Sequence, residues 1–244
     1  MDVKALITAA GLGKRFGALT KRTNKCLLHV DGKPLIVHIV EKFKKAGIKD
    51  LYVTSGYQNT VVERHLKSSA KVIYNPFYRV SGILGSFWEA RHVLSGRAFV
   101  FTTSDHFFHP SVLQNLMKKD GDIKIVVQRK KNYTKEDAKV IIRGVRVIKM
   151  EKNIPVKEAH GEFCGMTYFS PRASKLFFKE LKHSFEKEGL YGYMMAILLT
   201  LSHKHSIPIH YSTCQEYLRT EVDSVHDLIV ARRMAQTFKS RRSK

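Results

Sequence analysis

Cysteine is scarce in this chain of 244 residues; there are three, Cys26, Cys164 and Cys214. An odd, scattered set matches neither a disulfide framework nor a zinc-binding spacing, which points to a reduced, cytoplasmic setting. Long apolar runs are also missing. The longest, Met194 to Leu201 with one threonine, falls far short of bilayer-spanning length. No charged-then-apolar leader precedes the first apolar run, so no signal peptide is expected. Acidic residues number 21 against 43 Lys and Arg, leaving a formal net charge of +22. Such a field draws polyanions: RNA, an anionic membrane or small phosphorylated substrates. Charge alone does not choose among them. No RNA-binding signature accompanies the basic residues, which are spread along the chain with one terminal cluster, Lys239 to Lys244. Internal repeats and low-complexity linkers are absent, and 43% hydrophobic content is enough for a sizeable core. One domain over residues 1–244 is expected.

What is present is concentrated at the start. Val3 to Ala10 is a short apolar run that reads as a buried strand. Gly11-Leu12-Gly13-Lys14-Arg15-Phe16-Gly17 is a glycine-rich turn, and Lys21-Arg22-Thr23-Asn24-Lys25 a basic loop. Glycine lets backbone N–H groups approach an anion closely, and the loop cations neutralise what binds. Two familiar phosphate cradles are excluded. The dinucleotide fingerprint needs glycine where Phe16 stands, and no GxxxxGK[ST] occurs in the chain.

The rest predicts alternating strands and helices. Helices are expected from Pro34 to about Ala46, over Thr60–Leu66, Ile83–Leu94 and Ser111–Lys118. Strands are expected over Asp50–Ser55, Lys71–Tyr74 and Ala98–Thr102, the last almost unbroken in its apolarity. This order predicts a parallel sheet with helices on both faces. Asp105 follows the strand at Ala98–Thr102, where such an architecture puts its chemistry. After residue 118 the character changes: Ile123–Gln128, Val140–Gly144, Val145–Met150 and Phe163–Phe169 alternate like antiparallel strands. Helices over Pro171–Glu188 and Tyr191–Ser202, a strand over Ile207–Ser212 and a last helix complete the chain. Ser224 and Asp227 form a capping signal for that helix. His106 and His109 read as loop histidines near a phosphate pocket, and His203 and His205 as solvent-facing residues of a polar turn. Trp88 reads as core.

Three pieces, Gly11-Leu12-Gly13-Lys14-Arg15, Asn24-Lys25-Cys26-Leu27-Leu28 and Gly32-Lys33-Pro34-Leu35, resemble the signature of the sugar-phosphate nucleotidyltransferase family. The resemblance is strongest over residues 1–35 and weakest between 120 and 215. It departs from the family at Asn24, where proline is usual, which predicts a looser loop. It implies a Rossmann-like α/β fold with a mixed, mainly parallel central sheet flanked by helices. A nucleotide-binding half, 1–118, would be followed by a more antiparallel acceptor half, 119–244. In the family a second carboxylate comes late, and Glu221-Val222-Asp223-Ser224-Val225-His226-Asp227-Leu228 matches that stretch.

The resemblance implies transfer of a nucleotidyl group to a phosphate monoester. That acceptor is already anionic, so positioning and electrostatics carry the catalysis and no general base is needed. Arg15 and Lys25 are the catalytic candidates. Ala9, Ala10, Gly11, Leu12 and Gly13, with Ser55, Gly56 and Tyr57 and with Gly85 and Ser86, are the nucleotide-binding candidates. Asp105 and Asp223 are the candidate ligands for magnesium, with manganese as the alternative. Glu162, Gly165 and Tyr193 are the acceptor candidates. Ser55-Gly56-Tyr57 and the segment from Asn75 to Trp88 look most like cytidylyltransferases. The expected substrates are therefore CTP and a small phosphorylated alcohol, inositol 1-phosphate ahead of phosphocholine and of sugar 1-phosphates with other nucleotides. Nucleic acid and stable membrane insertion are not expected, and a homodimer is. The rival of another class is a basic RNA-binding protein.

Overall fold

The computed structural model describes residues 2–13, 23–118, 120–190 and 192–240. The first strand, β1 (Lys4–Ala9), is followed by a single 3-10 turn at Lys25–Leu27, a two-residue hairpin of β2 (His29–Val30) and β3 (Lys33–Pro34), and α1 (Leu35–Lys45). Next come β4 (Leu51–Ser55), α2 (Asn59–Leu66), β5 (Lys71–Tyr74), α3 (Gly82–Glu89) and α4 (Arg91–Leu94). Then follow β6 (Phe99–Thr103), β7 (His106–Phe108), α5 (Pro110–Lys118), β8 (Ile123–Arg129), β9 (Lys139–Arg143) and β10 (Arg146–Glu151). The chain continues with β11 (Gly161–Phe169), α6 (Pro171–Glu188), α7 (Met194–Lys204), β12 (Ile209–Gln215), β13 (Arg219–Glu221) and α8 (Val225–Ser240).

One nine-stranded sheet runs through both halves, in the order β5-β4-β1-β6-β11-β8-β12-β10-β9. The strands β5, β4, β1 and β6 are mutually parallel. At β11 the direction reverses, as the alternating pattern after residue 118 predicts. The start of β11 also pairs with β9, so the second half curls back on itself.

Alternation along each strand sends side chains to opposite faces. Leu6, Phe99 and Phe101 join Phe87, Phe169, Phe177 and Leu198 on one face. Ala5, Ile7 and Val100 join Ile36, Ile39, Phe43, Val62 and Leu116 on the other. The apolar stripe of α1 (Leu35, Ile36, Ile39, Val40, Phe43) is buried along its length. A third cluster seats α8 through Leu228, Ala231 and Ala235 against Leu28, Val30, Phe107 and Val222. No helix among the described residues is long and apolar enough to cross a membrane.

The structure corrects four local expectations. The helix expected over Ile83–Leu94 breaks at Ala90 into α3 and α4. His106 is not in a loop. It sits in β7, which pairs antiparallel with β13 in the register Glu221↔His106, and it is buried. His205 is not solvent-facing, because its Nε2 lies 2.7 Å from Glu180 Oε1 with only 18% of the side chain exposed. Trp88 is half-buried rather than core: Arg91 lies over its ring at 4.3 Å, and Phe185 meets it edge-on.

Candidate active site

Parallel strands leave their carboxyl ends side by side, and here Ala9 of β1 stands next to Ser55 of β4 while Thr8 stands next to Thr103 of β6. A cleft of about 330 Å³ opens at this edge. Its floor is Thr8, Ala9, Ala10, Gly11 and Gly13, and one wall is Tyr78, Gly82, Ile83 and Ser86. The other wall brings Asn24 and Lys25 together with Thr103, Ser104, Asp105 and Asp223.

Asn24 anchors the segment that carries Lys25. Its side-chain N–H donates to the carbonyl oxygens of Ala9 at 3.1 Å and Tyr57 at 2.8 Å. Its Oδ1 accepts from the Cys26 backbone at 3.0 Å, capping the 3-10 turn. Where proline would stiffen the backbone, three hydrogen bonds from a buried amide tie the loop to the ends of β1 and β4. These bonds anchor the end of the basic loop at Asn24; Lys21 and Arg22 lie outside the described residues.

Lys25 is thereby aimed across the cleft mouth. Its ammonium donates to Asp105 Oδ2 at 2.8 Å and also to Asp223 Oδ1. All three side chains are largely buried. Burial works against both charges. The ion pairing outweighs it, so the ammonium is held above its ordinary pKa and the Asp105 carboxyl well below the carboxylate range. Thr103 Oγ1 donates to the other oxygen, Asp105 Oδ1, at 2.5 Å.

Asp223 is far from Asp105 in sequence, and three devices join them. The β7–β13 pair aligns the two segments, and the Val222 N–H donates to the Asp105 carbonyl at 2.8 Å. The capping signal closes as expected. Asp227 Oδ2 accepts from the Asp223 N–H at 3.1 Å and from the Ser224 hydroxyl at 2.8 Å, while the Asp227 N–H donates to Ser224 Oγ at 3.2 Å.

Behind Asp105 lies a second polar group. His106 Nε2 accepts from Arg219 Nη2 at 2.9 Å, which places the imidazole proton on Nδ1, facing Thr102 Oγ1 at 2.9 Å. Burial and the Arg219 charge push this imidazole down to about 3, so it is neutral. Asp105, His106 and Glu221 bring ligand atoms within 4.8 Å of one another. That trio is a poor metal site, because Arg219 Nη2 already lies against both His106 Nε2 and, at 3.2 Å, Glu221 Oε2. Asp105 and Asp223 are the two carboxylates that line the cleft itself, and Lys25 bonds to both. Both carboxylates converge on one cation, open to the cleft, and magnesium takes one or two carboxylates together with phosphate oxygens.

Of the nucleotide candidates, Ala9, Ala10, Gly11, Gly13 and Ser86 line the cleft, while Leu12 does not. Ser55, Gly56, Tyr57 and Gly85 lie behind the lining. A Cβ on Gly56 would sit 2.4 Å from Tyr78 Cβ and 3.0 Å from the Ala10 carbonyl, so glycine there lets Tyr78 close down on the wall. Gly85 packs on Ser81. Arg15 lies outside the described residues. Glu162 pairs with Lys130 at 2.9 Å, away from the cleft lining, and Tyr193 is 67% exposed at the start of α7. Gly165 sits in a bulge of β11 with φ of 76°, where a Cβ would lie 3.5 Å from His106 Cε1. Tyr78, Ile83, Ser104 and Arg219 were not anticipated. Tyr78 stands in a loop without periodicity, and Arg219 is one arginine among many.

A model of the MobA-like NTP transferase domain matches residues 5–206. The chain belongs to that family. Asp223 and α8 lie beyond the matched span. Within this MobA-like family setting, a UTP–glucose-1-phosphate uridylyltransferase of Streptococcus pneumoniae is 43% identical over 72 residues, 30% of this chain and 24% of that enzyme. The chain thus matches about a quarter of the length of that relative. A CTP:phosphoglutamine cytidylyltransferase of Campylobacter jejuni is 26% identical over 134 residues, 52% of this chain and 53% of that one. Among solved structures, the inositol-1-phosphate CTP transferase of T. maritima superposes with a TM-score of 0.78 over 97% of this chain and 98% of that one, at 17% identity. The CTP:phosphocholine cytidylyltransferase of Streptococcus pneumoniae gives 0.76 over 96% and 100%, at 18% identity. These two similarities show the fold, a mixed α/β sheet of the nucleotide-sugar transferase type.

Proposed function

We propose that the protein is a magnesium-dependent cytidylyltransferase. It transfers CMP from CTP to a phosphorylated alcohol, inositol 1-phosphate first among the candidates, and releases pyrophosphate. The observation that carries the reading is the bridge of Lys25 to both Asp105 and Asp223 at the mouth of a glycine-floored cleft. Likeness in fold to two transferases that use CTP, and in sequence to a cytidylyltransferase, supports that nucleotide, while the likeness to uridylyltransferases keeps UTP as the alternative.

In this reading an oxygen of the acceptor phosphate attacks the α-phosphorus of CTP. The bond from that phosphorus to the bridging oxygen breaks, and its electron pair leaves with pyrophosphate. The attacking oxygen is already anionic, so no residue removes a proton. The floor from Ala9 to Gly13, with Ser86 and Tyr78 opposite, would hold the nucleotide. Lys25 would stabilise charge on the reacting phosphate, and Arg15 charge on the leaving pyrophosphate. Asp105 and Asp223 would hold magnesium, which when bound neutralises phosphate charge and polarises the phosphoryl group. Glu162, Gly165 and Tyr193 stand as acceptor candidates in the 119–244 half.

A quaternary ammonium headgroup favours an aromatic cage. Tyr193 is the aromatic among the acceptor candidates, and phosphocholine is kept as the alternative acceptor, with sugar 1-phosphates and other nucleotides after it. The test is pyrophosphate release with magnesium over four nucleoside triphosphates and four acceptors: inositol 1-phosphate, phosphocholine, glucose 1-phosphate and N-acetylglucosamine 1-phosphate. A signal confined to CTP with inositol 1-phosphate is expected. Activity with another pair overturns the substrate assignment, and silence with RNA binding overturns the transferase reading.

A further inference from the structure

We infer that the groove between α6 and the α3–α4 break docks the headgroups of an anionic phospholipid surface. The groove holds about 530 Å³ and shares no lining residue with the nucleotide cleft, so the inference stands apart from the transferase reading. It follows from the two faces of α6. Ala173, Phe177 and Leu181 are buried in the core on one face. Lys175, Lys179 and Lys182, spaced i, i+4 and i+7, share the opposite, exposed face and rim the groove. Across from them, Arg91 lies over the Trp88 ring at 4.3 Å and donates Nη1 to the Trp88 carbonyl at 2.7 Å. Trp88, Leu176 and Phe178 give the groove its apolar lining.

No carboxylate lines this groove among the described residues. Lys182 pairs with Glu186 at 3.6 Å, while Lys175 and Lys179 have no ion-pair partner among the described residues. Like charges at i and i+4 on a helix repel, so this pair is stabilised by an anion from outside. The apolar lining selects which anion. A nucleic acid would stack a base on an open aromatic face, and Arg91 already covers the Trp88 ring. A free inorganic anion has no use for Trp88, Leu176 and Phe178. An anionic bilayer uses both parts of the groove. Its phosphates would meet the lysines and Arg91, and the boundary between headgroups and acyl chains accommodates a tryptophan, apolar in body and polar at the N–H. Lysine stems lying on apolar surface, with their ammonium groups at phosphate level, suit the same boundary.

Trp88 is the single tryptophan of the chain, so intrinsic fluorescence reads this groove alone. The experiment titrates three proteins with phosphatidylcholine vesicles, with and without phosphatidylglycerol, and follows sedimentation and Trp88 emission together. The proteins are wild type, the double variant Lys175→Ala with Lys179→Ala, and a control, Lys44→Ala with Lys45→Ala, which removes the same charge from exposed positions of α1. Vesicles with phosphatidylglycerol are expected to bind wild type and shift its emission to the blue, and neutral vesicles to do neither. The groove pair is expected to weaken binding by about fivefold for each lysine removed, and the control pair to leave it near wild type. Equal weakening by the two pairs would reduce the effect to net charge and overturn the inference. Vesicle binding without a change in Trp88 emission, or no binding at all, overturns it too. An RNA oligonucleotide or inorganic phosphate that shifts the emission as strongly as the anionic vesicles reassigns the groove and overturns the lipid. Each of these results leaves the transferase reading intact.

Discussion

The backbone N–H of Val222 donates to the carbonyl oxygen of Asp105 at 2.8 Å, and this bond holds together the two segments that carry the Asp105 and Asp223 carboxylates. On one side of it, Asp105 ends the apolar strand β6; on the other, Asp223 precedes the capped start of α8. Lys25 closes the arrangement by bonding to both.

On the proposed reading, Lys25→Ala is expected to lower the rate of pyrophosphate release by about a hundredfold or more, because it would remove a preorganised cation at the reacting phosphate. The same change leaves Asp105 and Asp223 facing each other without their counter-ion. Circular dichroism with the kinetic assay separates lost folding from lost catalysis.

Chelation by EDTA is expected to abolish turnover, and added magnesium to restore it. Asp105→Asn and Asp223→Asn are each expected to shift the magnesium titration to higher concentration, with the fold retained. A variant titrating like wild type would remove that residue from the donor set.

Asn24→Ala removes three hydrogen bonds at once and leaves the carbonyls of Ala9 and Tyr57 without their side-chain donor. A loss of about 1–3 kcal/mol of stability is expected. Urea denaturation reads the stability. The CTP KM is expected to rise as well, since the loop then no longer aims Lys25.

Gly56→Ala puts a Cβ 2.4 Å from Tyr78 Cβ and 3.0 Å from the Ala10 carbonyl. Either Tyr78 moves out or the backbone does, at a cost of about 1–3 kcal/mol. Tyr78 forms a cleft wall, so a rise in the CTP KM is expected beside a lower melting temperature.

Glu180 gives a pH prediction away from the site. Burial acts to raise its pKa, but bonds from His205 and from Lys204 at 3.0 Å outweigh it and hold the carboxyl below its ordinary 4.5. A depressed folded-state pKa contributes stability that is present above the unfolded value and is lost as pH falls through the folded one. The melting-temperature gap between wild type and Glu180→Gln is therefore expected to be open at pH 7. It should close as pH falls below about 4.5.

Much of this was legible in the chain itself. The apolar strand at the start and Asp105 at the end of an apolar strand carry local signals, Lys25 and Asp223 were singled out by the family resemblance, and the parallel half follows from strands and helices of ordinary length. The β7–β13 pair was not legible. Each strand has three residues, too few for a period-2 pattern, and the two lie more than 100 residues apart. Asn24 read as a weakness where proline was expected, because only the folded chain shows that its amide reaches Ala9 and Tyr57. The break at Ala90 carries no glycine or proline to announce it.

What the sequence determined by itself is local: apolar periodicity chose helix or strand, glycines and the Ser224–Asp227 cap marked ends, and residue chemistry named the charged candidates. What only the tertiary structure decided is which charges meet. Lys25 bridging two aspartates, and Arg219 joining His106, Gln128 and Glu221, depend on strand order and register between distant segments. Those are set by the whole sheet burying its two faces at once, and no local window of sequence contains that balance.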